Sequence, residues 1–382
     1  MTKMRAIAIA ILAISFSYGA SGQTRPGGGW KWELPATLPP PRTPPDNPMS
    51  EDKFQLGRKL FYDARLSGNG TTACATCHLQ ERAFTDGKAT STGSLGESTP
   101  RNSPGIANAA WRATLTWANP ALVTLERQAE VPLFGENPVE MGVNDANRRE
   151  VLLRFRSDST YPAEFARAFP GEAQPVTYGN IIKAIAVFER GVVSASSKFD
   201  LYLEGRAQLT PEEMRGKDLF FGEKAECHHC HGGPHFDDQF YHARTREAST
   251  PFHNTGLYNL AGGDYPDPGR GAYDITQNPE DMGAFRAPSL RNVAVTAPYM
   301  HDGSVATLEE AIDIYAAGGR NIVTGPLAGD GRTNPHKSPL ITPLDLSRED
   351  KADLVAFLKT LTDDALLHSS RYGAPLPARA AP

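Results

Sequence analysis

The chain has 382 residues, 40% of them hydrophobic, and a net charge of −5. That mildly acidic balance argues against nucleic acid or an anionic membrane surface as the partner. The length allows two ordinary domains, and 35 Gly with 31 Pro point to many ordered loops.

Residues 1–22 read as a cleavable signal peptide. Lys3 and Arg5 precede an apolar run from Ala6 to Phe16, and Ala20, Ser21 and Gly22 are small enough for cleavage. The run is too short to span a bilayer and no other stretch is long enough, so no membrane span is expected in the mature chain. Residues 23–48 carry Pro35, Pro39, Pro40, Pro41, Pro44, Pro45 and Pro48, an extended arm rather than a packed element. Regular structure should begin at Ser50, a good N-cap, with Phe54, Leu56, Leu60 and Phe61 on one apolar face.

A weak repeat follows. Leu56-Gly-Arg-Lys-Leu-Phe-Tyr-Asp63 precedes Cys74-Ala-Thr-Cys-His78, and Arg215-Gly-Lys-Asp-Leu-Phe-Phe-Gly222 precedes Cys227-His-His-Cys-His231. Each unit is then closed by a helix, over Ile181 to Arg190 in the first and Ala352 to Leu361 in the second. The second unit opens on the capping box Thr210-Pro-Glu-Glu213, with Pro at the first helical position, and its closing helix starts at Ser347 with Asp350 three residues on. The boundary falls near Gly205. The units are 49–205 and 206–365, with a tail over 366–382. Few alternating β-branched runs occur, so the expected fold is mostly α with long irregular loops.

Cys-x-x-Cys-His is the attachment pattern of c-type haem: two thiols bond the vinyl groups and the adjacent His ligates the iron. The motifs consume all 4 cysteines of the chain. A four-Cys zinc site would not need a His after each pair, and a disulfide framework is out of scale with so few cysteines. Two covalently bound haem c groups are therefore expected, one in each of two cytochrome c-like domains. Covalent haem attachment outside the cytoplasm agrees with the signal peptide and predicts a periplasmic protein.

For such a pair to work as a peroxidase, one iron needs an open face and a polar group to move protons, while the other is closed by a second ligand. No His lies between His78 and Asn102, so no imidazole is at hand there to close the first site. Other histidines carry less: His228, His229 and His235 flank the second motif and read as solvent or propionate contacts, as does His253, while His301 reads as a loop anchor. Arg286 and Arg291 are candidates to pair with propionates.

From about Asn47 to about Asp363 the chain resembles the bacterial di-haem cytochrome c peroxidase and MauG superfamily, most of all its MbnH-like branch. The resemblance is carried by Asn47-Pro-Met-Ser50, Leu115-Thr-Trp-Ala-Asn119, Phe252-His-Asn-Thr-Gly-Leu-Tyr258 and Thr296-Ala-Pro-Tyr-Met-His-Asp-Gly303. It implies that the two domains pack with a haem–haem interface. It also implies a permanently open first haem on Cys74, Cys77 and His78, with a distal pocket of Gln128, Pro132 and Glu140. Two extra residues between Pro132 and Glu140 make Glu136 a rival for the acid–base role. It implies that the second haem, on Cys227, Cys230 and His231, is closed by Tyr315, with Met300 as competitor. A phenolate, a hard anionic donor, would hold that iron at high oxidation state. Trp117 matches the inter-haem tryptophan, with Trp111 as alternative, and Asn102 with the backbone oxygens of Thr296 and Pro298 matches a calcium site.

The implied function is oxidation of a periplasmic partner protein, at a Trp, with hydrogen peroxide as oxidant, through a high-valent, bis-Fe(IV)-like state and long-range electron transfer. The alternative is a cytochrome-c peroxidase that takes electrons from a small periplasmic cytochrome or copper protein and makes water.

Overall fold

The structure, a computed structural model, describes residues 29–375; the signal-peptide segment and the last part of the tail lie outside them. It is mostly helical, as expected. Its strands are residue pairs only, His253–Asn254 against Ala284–Phe285 and Asn321–Ile322 against Gly329–Asp330, both antiparallel.

Each half is built on a pair of crossed helices. In the first, the opening helix Glu51–Phe61 starts at Ser50, whose Oγ accepts from the Lys53 amide at 3.2 Å. Phe54, Leu56, Leu60 and Phe61 are all buried against the closing helix Tyr178–Arg190. In the second, the opening helix Pro211–Phe221 and the closing helix Arg348–Lys359 both begin with complete capping boxes, at Thr210 with Glu213 and at Ser347 with Asp350. Three further helices, Leu125–Phe134, Arg148–Arg156 and Tyr161–Ala168, complete the first half. The first is capped by Thr124, whose Oγ1 accepts from the Arg127 amide at 3.3 Å, whereas the Arg148 and Tyr161 helices have no side-chain cap.

The repeated glycine has a steric cause. A methyl group on Gly57 would overlap the Ala184 carbonyl oxygen, and one on Gly216 would overlap the Asp353 carbonyl oxygen. Both opening helices cross their closing helices backbone to backbone at that point, and neither carbonyl can retreat without unwinding a helix. Gly216→Ala is expected to destabilise the protein by about 3 kcal/mol, through overpacking at a rigid crossing. A denaturant midpoint equal to wild type would show that the crossing can relax.

The arm differs from its expected form. It is extended but tied down: Leu38 and Asn47 are buried, Pro39 O accepts from Trp111 Nε1 at 2.7 Å, and Pro40 O accepts from the Ala243 amide at 3.0 Å. The arm thus touches both halves, because its regularly spaced prolines leave carbonyls free to receive donors from the surfaces it crosses. The tail behaves similarly, returning Leu366 and Tyr372 to the first half's core. Where the halves join, the buried Asp363 carboxylate accepts from the Ala195 and Ser196 amides at 2.9 and 3.0 Å and from the Ser196 hydroxyl at 2.7 Å.

Candidate active site

Both motif histidines are held by the same device. His78 Nδ1 lies 2.8 Å from Phe84 O, and His231 Nδ1 lies 3.1 Å from Phe236 O. A carbonyl only accepts, so each Nδ1 carries the proton and each Nε2 keeps a free lone pair, which is the form that ligates iron. Burial holds both imidazoles below their ordinary pKa, hence neutral. The anchoring carbonyls belong to residues in left-handed backbone conformation, Phe84 at φ 65° and Phe236 at φ 55°. For a non-glycine residue this costs on the order of 1 kcal/mol, strain that survives because packing imposes it.

The thiols are equally informative. None of the four cysteines is in a disulfide. Burial pushes the Cys74 thiol well up and Cys227 up to about 12. A zinc site or a redox dithiol needs thiolates and would be surrounded by groups that stabilise them. The surroundings of Cys74 and Cys227 suit an uncharged sulfur, which is what a thioether to haem is. The residues therefore fit the prosthetic group that the motifs imply.

Near the first motif, Gln128 and Pro132 sit one turn apart on the Leu125–Phe134 helix. Glu140 is brought back to that helix by its neighbour, since the Met141 amide donates to Pro132 O at 2.9 Å, and Glu140 O accepts from the Ser94 amide at 2.7 Å. A charge on Glu140 would weakly disfavour thiolates at both Cys74 and Cys77. Burial raises its pKa above the ordinary carboxylate range. Glu136, the rival, is exposed on the intervening turn.

Around the second motif lies a cavity of about 270 Å³. Cys227, Cys230 and His231 line it together with Tyr315, which is on the helix Leu308–Ala316. Burial drives the Tyr315 phenol strongly upward in pKa, with the two cysteines as further contributors. Met300 reaches the same cavity, and it also packs in the apolar cluster of Leu257, Tyr265 and Val305. Trp117 lines the cavity as well, with its Nε1 donating to Asn102 O at 2.8 Å. Asn102, Thr296 and Pro298 are on the same lining. The Asn102 amide nitrogen donates to Lys88 O at 2.7 Å, which leaves its side-chain oxygen as the accepting atom of that amide.

Several expectations change. Arg291 is not free for a propionate, because its guanidinium grips Asp200 at 2.8 and 2.9 Å. His253 is paired with Asp238 at 2.6 Å, and that carboxylate raises it to about 10. His235 is fully buried, not solvated, with its ring edge-on to Trp111. His301 anchors its loop as expected: its ring stacks on Phe285 at 3.7 Å and its carbonyl accepts from the Asn102 amide at 2.8 Å.

Two groups escaped the sequence. Arg112 is buried on the cavity lining with Nε unpartnered, pushed down to about 9 by desolvation, and suits an anionic edge of a bound group. Glu189 is buried with Oε2 unpartnered, raised to about 8, and close enough to disfavour the Cys74 thiolate. Neither has a local signal, since only the folded chain brings them to the motifs.

Two helical halves, each presenting Cys-x-x-Cys-His with its imidazole already tied back, define a double c-type haem protein. The chain belongs to the di-haem cytochrome c peroxidase family, whose sequence profile matches residues 51–208. It is 37% identical to cytochrome-c peroxidase IdrP1 of Denitromonas iodatirespirans over 96% of each chain. It is 32% identical to the methylamine utilization protein MauG of Methylorubrum extorquens, over 87% of this chain and 83% of that one. A crystal structure of a MauG-like protein associated with microbial copper homeostasis is 64% identical, covers 91% of this chain and 99% of its own, and superposes with a TM-score of 0.90. The protein is thus an oxidoreductase with peroxide as acceptor and two haem c groups as cofactors. Among the described residues no helix is long and apolar enough to cross a membrane.

Proposed function

We propose that this protein uses hydrogen peroxide to oxidise a residue of a periplasmic partner protein, a Trp, by long-range electron transfer. The observation that carries this reading is the partly buried Tyr315, which lines the same cavity as the His231 motif. A phenol there favours holding oxidising equivalents over passing electrons from a cytochrome. The bound haems would supply the redox chemistry, in which one peroxide takes two electrons and two protons and leaves two waters.

The chain's residues supply the rest. His78 and His231 offer Nε2 to the two irons, with Tyr315 as the second donor at the latter. Glu140 accepts a proton from peroxide and returns it to the departing oxygen; its raised pKa suits the return step. Gln128 and Pro132 shape the space beside it, and Trp117, on the cavity lining with its indole held by Asn102 O, is the residue proposed to couple the two sites. The signal-peptide reading of residues 1–22 supports export to the periplasm. The 64% identical relative is associated with copper homeostasis, which suggests a copper-linked partner.

Asn102, with the backbone oxygens of Thr296 and Pro298, is proposed to hold a calcium ion, as oxygen-only donors on one lining favour a hard cation. Chelation by EGTA is expected to lower the melting temperature, reflecting about 3 kcal/mol of lost binding free energy. A curve that does not move argues against a resident ion.

Reduction of peroxide to water with electrons from a small cytochrome is the second reading, favoured by Met300 on the same cavity. Resting ferric spectra separate the two. One high-spin haem beside a low-spin His/Tyr haem, followed by oxidation of a partner protein on peroxide addition, supports the first reading. A His/Met signature with fast turnover of reduced cytochrome c supports the second.

A further inference from the structure

Three of the chain's 4 tryptophans form one column that the chemistry above does not use. It begins at His235, on the loop that follows the second haem motif. The His235 ring meets Trp111 edge-on with centroids 5.4 Å apart, Trp111 meets Trp32 at 6.1 Å, and Trp32 meets Trp30 at 5.4 Å. All are contact distances for aromatic pairs. Trp111 is fully buried, and its neighbour Arg112 lines the haem cavity. Trp32 is only half-buried and opens on a surface hollow of about 380 Å³ shared with Pro39, His242 and Arg244.

The two outer tryptophans differ in one respect. The Arg371 guanidinium lies 5.3 Å from the Trp30 ring centroid, and the Trp30 Nε1 is buried without an acceptor. A neutral indole attracts that cation, but an indole that has lost an electron is repelled by it and has nowhere to put its proton. Trp30 is therefore a poor seat for positive charge. Trp32 has no such cation over its ring among the described residues.

We infer that Trp111 and Trp32 form an electron relay from the haem region to the surface, with Trp32 as the terminus where an electron donor is met. The inference rests on the reading that oxidising equivalents leave the haem pair by long-range transfer. In each step Trp111 gives one electron inward and recovers one from Trp32. Its indole proton stays, because Nε1 donates at 2.7 Å to the Pro39 carbonyl, which is not a base. With no donor present, Trp32 itself gives two electrons and two protons and takes oxygen from water, so that Trp plus hydrogen peroxide yields hydroxytryptophan plus water.

The test is peptide mass spectrometry of the haem-loaded protein after one equivalent of peroxide without donor. Oxygen is expected on Trp32, and in Trp111→Phe that product is lost while the haem absorption spectrum is unchanged. Should Trp111→Phe fold poorly, Trp32→Phe at its half-buried site gives a second reading: protein oxidation is lost there and does not move to Trp30. Oxidation of Trp32 that persists without Trp111, or that moves to Trp30, overturns the relay. Oxidation at Trp117 or at tyrosines in place of Trp32 also overturns it and leaves long-range transfer standing. No oxidised residue at all, with peroxide consumed only alongside reduced cytochrome, overturns both.

Discussion

Glu140→Gln is expected to slow the reaction with hydrogen peroxide by a factor of about 100 to 10,000, the usual contribution of a positioned acid–base group. The substitution keeps the shape and the half-buried position beside the first motif, so haem content and resting spectra should match wild type. It removes the one function a neutral amide lacks, which is to take a proton and give it back. The pH dependence follows from the direction of the shift. Burial raises the Glu140 pKa, so its ionised, proton-accepting form appears only above the ordinary carboxylate range. The wild-type rate should rise with pH through that raised value, and the variant should lack this limb. The same shift means the folded protein binds this proton more tightly than the unfolded chain. The stability it contributes is thus present at low pH and lost as pH rises through the folded value. Stopped-flow mixing with peroxide across pH measures the rates, and denaturant unfolding across pH measures the stability. An unchanged rate in Glu140→Gln would leave the exposed Glu136 or the buried Glu189 as the proton carrier.

Tyr315→Phe is expected to abolish the low-spin ferric signal of the second haem and the oxidation of a partner protein. Its effect on the first haem's initial reaction with peroxide should be small. The phenol is partly buried on the cavity lining, and phenylalanine fills the same space without the oxygen. Loss of a hard anionic donor should also raise the reduction potential of that haem. Electron paramagnetic resonance and a redox titration together give the answer. A low-spin signal that survives in Tyr315→Phe and disappears in Met300→Leu assigns the position to the thioether and favours the cytochrome-linked reading.

The chain's own spacing determined a good deal. Two Cys-x-x-Cys-His motifs name their chemistry because the thiols and the imidazole must lie within one short turn to meet one haem, so the whole requirement is local. Helix starts at Ser50, Thr210 and Ser347 were legible for the same reason, since a cap satisfies amides two or three residues away. The repeat that contains Gly57 and Gly216 was visible as letters, but its cause was not. Only the crossing of the helices, with the Ala184 and Asp353 carbonyls set against those glycines, explains it.

Tertiary structure alone decided the rest. Glu140 is partly buried because the Met141 amide bonds back to Pro132 O and the Ser94 amide bonds to Glu140 O, whereas Glu136, four residues earlier, is left in solvent. Arg291 and His253 were read as free for propionates, yet their carboxylate partners, Asp200 and Asp238, lie 91 and 15 residues away along the chain. The Trp30–Trp32–Trp111 column joins an arm that looked unpacked to the interior of the molecule. Sequence states which groups are covalently near one another, and so it fixed the cofactor and the helical frame. Which charges are neutralised, which are buried bare and which rings touch depends on contacts between segments far apart in the chain, and only the folded chain sets those.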